Sequence, residues 1–186
     1  MTEIINVVAI AGSLRKASIN RGLVRAAAEA DVPGIQVEPL DLIDVPLYNG
    51  DVEDVGDPPA VVELKTRIKE ADGVLLATPE YNRGMPGVLK NALDWASRQP
   101  QQALRGKPFA LMGATPGGFG TRASQFQVHQ ILGNPGSRVL PKPELWVSGA
   151  SEKFDEAGNL TDETARTHIV ELLAAFRDWI VATRSA

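Results

Sequence analysis

Five short apolar runs, each followed by a stretch with helical spacing, leave this chain few ways to fold. The runs are Ile4 to Ala11, Ile35 to Leu40, Gly73 to Thr78, Pro108 to Ala114 and Glu144 to Ser148. The first is apolar almost throughout, the pattern of a strand covered on both faces in a parallel sheet. Between the runs, apolar residues recur three and four positions apart. Leu23, Ala26 and Ala27 do so within Asn20 to Ala30, Val62, Leu64 and Ile68 in a helix opening at Pro59, and Leu89, Ala92, Leu93 and Ala96 in one opening at Pro86. Ala123 to Leu132 reads as a fourth helix. Asp162 to Thr183 reads as a closing helix with Ile169, Leu172, Leu173, Phe176 and Ile180 on its buried stripe.

Repeated alternation of strand and helix with short connections specifies helices on both faces of a parallel sheet. Five strands favour the flavodoxin-like order 2-1-3-4-5, an α/β three-layer sandwich, over the six-stranded dinucleotide fold. The length, 186 residues, suits a single domain over 1–186. Asp41 to Pro59 holds Pro46, Gly50, Gly56 and Pro58 and reads as a long surface loop. In open sheets of this kind, ligands sit beyond the carboxyl ends of the strands where the strand order reverses. The loops after strands one and three are therefore expected to face each other across one site.

The loop after the first strand is GSLRKASIN, Gly12 to Asn20. It lacks the three spaced glycines of a nicotinamide dinucleotide fingerprint and the GK[ST] ending of a Walker loop. It offers hydroxyls at Ser13 and Ser18, an amide at Asn20, a guanidinium at Arg15 and the unpaired N–H groups of a helix start. Singly, Ser18 reads as a helix cap and Arg15 as a solvated side chain. Together, after a buried strand, they read as donors and positive charge for a phosphate. Lys16 has no positional argument and reads as solvated.

The loop after the third strand, TPEYNRGMPGVLKNALDW from Thr78 to Trp95, is stiffened by Pro79 and Pro86. Glu80, Tyr81, Asn82 and Arg83 stand between them. A rigid rim of this kind can hold the edge of a planar heterocycle through backbone groups, with Tyr81 packed beside it. Its bland alternative is a turn at Asn82 with a surface pair between Glu80 and Arg83. A third loop, ATPGGFGTR from Ala114 to Arg122, carries glycines that would let backbone approach a ligand or simply turn the chain. Arg122 could face an anionic substrate or only the surface.

Several function classes are excluded or disfavoured. A net charge of -4 does not suit a dedicated nucleic-acid binder. With no cysteine, a disulfide scaffold and a thiolate zinc site are excluded. No run approaches the roughly 20 apolar residues of a membrane helix, and Met1 to Asn6 lacks the basic region of a signal peptide; the expectation is a cytoplasmic protein without membrane insertion. His129 and His168, the only two histidines, lie far apart in sequence within helices, so neither a metal site nor a Ser-His-Asp arrangement is expected. With no catalytic side chain in evidence, the chemistry is expected to belong to a bound cofactor.

GSLRKASIN followed by TPEYNRGMPGVLKNALDW, with PGGFGTR and KPELWVSG downstream, resembles the NAD(P)H-dependent FMN reductase family of flavodoxin-like proteins, which includes quinone, chromate and azo reductases. The resemblance covers nearly the whole chain. It implies that Ser13, Arg15, Ser18 and Asn20 hold the FMN phosphate. Pro79, Glu80, Tyr81 and Asn82 would line the flavin ring, mostly through backbone contacts, and Gly117 and Gly118 would approach it from the other side. It also implies NADPH or NADH as reductant, a quinone or similar small molecule as acceptor, with free flavin, azo compounds, nitroaromatics and chromate also open, and a homodimer or homotetramer in which Trp95 helps to bury a partner. Arg83 lies where relatives vary, and it reads as a charge attracting an anionic reductant or acceptor. Two rival readings stand beside the reductase: a flavodoxin-type electron carrier, for which the acidic loop Asp51 to Asp57 could suit a basic partner, and a non-enzymatic binding protein of the same fold.

Overall fold

The computed structural model describes residues 4–184. Its strands and helices run in the order β1 (Ile5–Ala11), α1 (Ile19–Glu29), β2 (Ile35–Leu40), α2 (Gly50–Glu53), α3 (Pro59–Glu70), β3 (Gly73–Ala77), α4 (Gly87–Ala96), β4 (Pro108–Ala114), α5 (Arg122–Gly133), β5 (Arg138–Val139), β6 (Leu145–Val147) and α6 (Glu163–Arg184). All strand pairings are parallel, and the sheet order is β2-β1-β3-β4-β5, with β6 also paired to β4. This is the flavodoxin-like α/β arrangement expected from the sequence. The fifth position, however, is shared by two short strands. Pro141 and Pro143 lie between them, and a residue without an N–H cannot carry the ladder on.

Successive residues of the central strands feed two separate cores, as a period of two requires. Val7, Ala9, Leu75, Ala77, Ala110 and Met112 face α1 and α6, whereas Val8, Ile10, Val74, Leu76, Phe109 and Leu111 face α3, α4 and α5. The stripes of α1, α4 and α6 are buried as their spacing predicts. In α3 the buried residues are Val61, Leu64, Lys65 and Ile68, so the stripe begins at Val61, and Val62 is exposed. Lys65 lies inside that stripe because its Nζ reaches Asp57 Oδ2 at 2.6 Å. A buried ammonium is tolerable only with such a partner.

Trp95 differs from expectation as well. It is 0% exposed, donates from Nε1 to the carbonyl of Pro46 at 2.9 Å and meets Tyr48 edge to face at 4.9 Å. Its surface is buried within its own chain and is not available to a partner. With Asn91, which accepts from Tyr48 N–H and donates to the Pro46 carbonyl, it ties the loop after β2 to α4.

Candidate functional site

β1 and β3 are neighbours, and their loops leave the same end of the sheet. The amide of Gly12 donates to the carbonyl of Ala77 at 2.8 Å, so the two loops start from adjacent points. A Cβ at Gly12 would lie 2.9 Å from Pro86 and 3.1 Å from Leu89, which is why the first residue of the turn has no side chain. Between the loops lies a cleft of about 360 Å³. That volume falls within the range of small-molecule and cofactor sites, about 300–1,000 Å³.

At one end, Ser18 is the N-cap of α1; its hydroxyl oxygen accepts from the amide of Arg21 at 3.3 Å, leaving the hydroxyl hydrogen to donate into the cleft. Ser13 and Ser18 are 5% and 4% exposed, so their hydroxyls are fixed by packing and do not wander in solvent. Arg15 lines the same end with its side chain exposed. No acidic residue lies in the first turn of α1, so the N-terminal dipole of that helix is open to an anion.

Asn20 also lines the cleft, yet its amide is occupied. Nδ2 donates to the carbonyl of Ala114 and Oδ1 accepts from the amide of Ala114, both at 2.9 Å and buried. Asn20 therefore staples the carboxyl end of β4 to the first turn of α1. Thr115 and Pro116, which follow that staple, form part of the lining.

The loop after β3 is anchored on α5. Glu80 Oε2 accepts from the amides of Ala123 at 2.9 Å and Ser124 at 3.3 Å, capping that helix and placing a carboxylate at its positive end. Thr78 and Ser124 share a hydroxyl contact of 2.6 Å, and Gln127 Oε1 accepts from the amide of Met85 at 2.9 Å. Thus Glu80 serves α5 and does not pair with Arg83. Beyond it, Tyr81 and Gly84 exchange both backbone hydrogen bonds, at 2.9 and 3.0 Å, around Asn82 and Arg83 with φ of 51° and 61°. Positive φ at both central residues is a type I′ turn, normally given to Asn and Gly; an Arg there carries backbone strain.

Of the residues singled out from sequence, Ser13, Arg15, Ser18, Asn20, Pro79, Glu80 and Tyr81 line this single cleft. Asn82, Gly117 and Gly118 do not; they sit farther along the same loops, exposed. Arg122 lies with its guanidinium 4.5 Å from the centre of the Trp146 ring, a cation–π contact. Sequence reasoning missed the opposite wall, Ala150, Ser151 and Phe154 to Glu156, which arrives from the segment after β6 and carries no motif. Among the described residues, no group of three or more His, Cys, Asp or Glu side chains could hold a metal ion.

The chain matches a family model described as NADPH-dependent FMN reductase over residues 5–152. It is 44% identical over 180 residues to an NAD(P)H-dependent FMN reductase of Pseudomonas aeruginosa, covering 97% of each chain. It is 42% identical to the NADPH:quinone oxidoreductase of Arabidopsis thaliana over 180 residues, 94% of this chain and 91% of that one. Among solved structures, a flavoenzyme NAD(P)H:(acceptor) oxidoreductase of Paracoccus denitrificans superposes with a TM-score of 0.83 at 35% identity, covering 97% of this chain and 99% of the other. The cleft at the reversal point, the match over most of the length and these relatives converge: the chain belongs to the NADPH-dependent FMN reductase family.

Proposed function

We propose that this protein is an FMN-dependent oxidoreductase taking electrons from NAD(P)H and passing them to a quinone or a similar small acceptor, the whole chain forming one FMN-binding domain. The observation that carries this reading is the single cleft shared by a donor-rich helix start and a rigid loop after β3. Family membership supports FMN and NAD(P)H, and relatives named quinone reductases support the acceptor. The donor set suits the cofactor. Ser13, Ser18 and the α1 amides can donate to a terminal phosphate while Arg15 supplies charge. Pro79, Glu80 and Tyr81 offer backbone to a planar ring; Asn82, Gly117 and Gly118, farther along the same loops, would add backbone contacts at its edge.

Bound FMN supplies the two-electron chemistry. The chain supplies grip and orientation: of the carboxylates lining the cleft, Glu80 is engaged with α5 and Asp155 with Asn159, and both hold backbone in place. The half-exposed Tyr81 leaves the loop side open for a planar reductant or acceptor to enter. We further propose that Arg83, exposed and without an ion pair among the described residues, raises encounter with the anionic reductant. A cytoplasmic homodimer or homotetramer is the assembly we favour, supported by exposed apolar side chains such as Phe119 and Phe126; light scattering reads that state directly.

The deciding experiment is an absorbance spectrum of the purified protein, followed anaerobically after NADPH or NADH is added. Flavin bands that bleach within seconds are expected. Bound flavin that neither nucleotide reduces would leave the electron-carrier reading, and a colourless protein that takes up no added FMN would leave the non-enzymatic one.

A further inference from the structure

The missed wall of the cleft includes a small hairpin, Phe154 to Leu160, closed by a bridge between those two residues. It lies beyond the residues matched by the family model. Asp155 holds its turn together: its carboxylate accepts from the Asn159 amide at 2.7 Å and from Asn159 Nδ2 at 3.0 Å, and its own amide donates to the Asn159 carbonyl at 2.9 Å. Three of the hairpin's residues, Phe154, Asp155 and Glu156, line the cleft.

The hairpin also presses on the helix start that carries the donors. Gly158, with φ of 79°, packs so closely that a Cβ there would lie 2.9 Å from the carbonyl carbon and oxygen of Ala17 and 3.2 Å from the carbonyl carbon of Ser18. A Cβ at Gly22 would lie 1.9 Å from the Gly158 carbonyl oxygen. Two glycines meeting backbone to backbone leave no slack between hairpin and loop. A charged side chain also ties the junction together. Arg25, about two turns beyond the cap of α1, donates from Nη2 to the Gly158 carbonyl at 2.9 Å and from Nε to Asn159 Oδ1 at 3.0 Å.

We propose that Arg25 is a positioning residue for the phosphate end of the flavin site: it clamps the Phe154 to Leu160 hairpin against Ala17 and Ser18, holding the Ser13 to Ser18 donors in their binding geometry. Arg25 acts through Gly158 and Asn159 and is absent from the cleft lining. Its partners are fixed acceptors at two points of one guanidinium, a fork that lysine cannot reproduce. The proposal rests on the reading that the cleft takes FMN.

The test compares two flavins that differ only in the phosphate. The full chain, stripped of flavin, is titrated with FMN and with riboflavin by fluorescence quenching. Arg25→Gln is expected to weaken FMN at least tenfold and riboflavin less than twofold, with Asn159→Ala giving the same discrimination should Arg25→Gln melt early. Arg67→Gln is the control: its side chain pairs with Glu38, outside both the cleft lining and the hairpin, and both affinities are expected to hold. Equal losses of FMN and riboflavin in both hairpin variants, or no loss of FMN, would overturn the proposal while leaving the family reading intact. A wild-type chain that binds neither flavin would overturn both.

Discussion

Two residues of the phosphate loop that look alike in sequence separate in the structure. Arg15 is exposed at the cleft with no ion pair among the described residues, so its charge is available to a ligand. Asn20 is 2% exposed with both amide atoms bound to Ala114. Their substitutions should therefore differ in kind. Arg15→Ala should weaken FMN by roughly 10- to 100-fold, the worth of a charged hydrogen bond, and leave riboflavin nearly unchanged; equal losses in the same titration would remove Arg15 from the phosphate site. Asn20→Ala should cost about 2–4 kcal/mol of stability by urea denaturation, since it strands a buried N–H and C=O together. It should weaken both flavins alike, because what it loosens is the junction of α1 with β4. The motif could not show this distinction. An amide in a donor-rich loop looks like a ligand contact until its partner, 94 positions away, is known.

At the scale of elements, α5 is the anchor for the loop that meets the flavin ring. Glu80→Ala should destabilise the protein by about 1–2 kcal/mol, the usual cost of losing a cap, and should reduce the affinity for riboflavin as well as FMN; an unchanged riboflavin titration would show that the loop holds its shape without α5. The type I′ turn at Asn82 and Arg83 carries a second prediction. Arg83→Gly relieves the left-handed strain, about 1–2 kcal/mol, against an entropy loss of about 0.5–1 kcal/mol, so a net gain of up to about 1.5 kcal/mol is expected. The same change should raise KM for NAD(P)H at low salt, and an unaltered KM would dismiss the steering role. The hairpin of Asp155 adds a pH dependence. Hydrogen bonds from Asn159 hold its carboxyl below the usual carboxylate range. That contribution is present above the ordinary Asp value, about 3.9, and fades as pH falls through the depressed one; Asp155→Asn should flatten this part of the acid limb in a denaturation series.

For the molecule as a whole, the sheet divides the core in two, and neighbouring residues of β3 report on the halves separately. Leu75 faces α1 and α6, and Leu76 faces α3 to α5. Each Leu→Ala change should cost about 2–5 kcal/mol by denaturant unfolding, and a much smaller value for either would mean that its half packs loosely. This layering was readable from the alternation of apolar runs, as were the reversal point and the two loops that meet there, because periodicity and loop position are local signals. What stayed hidden was long-range: the Glu80 cap, the Asn20 staple and the hairpin wall each depend on a partner brought in by tertiary packing. The splitting of the fifth strand was hidden differently, by prolines that ended a run before it could be recognised. Those prolines and Pro39 in β2 occupy the two outer margins of the sheet. A margin interrupted by residues that cannot donate is a poor template for another strand. Copies of this protein are thereby steered away from continuing one another's sheets, which favours helices and loops as the surfaces through which they meet.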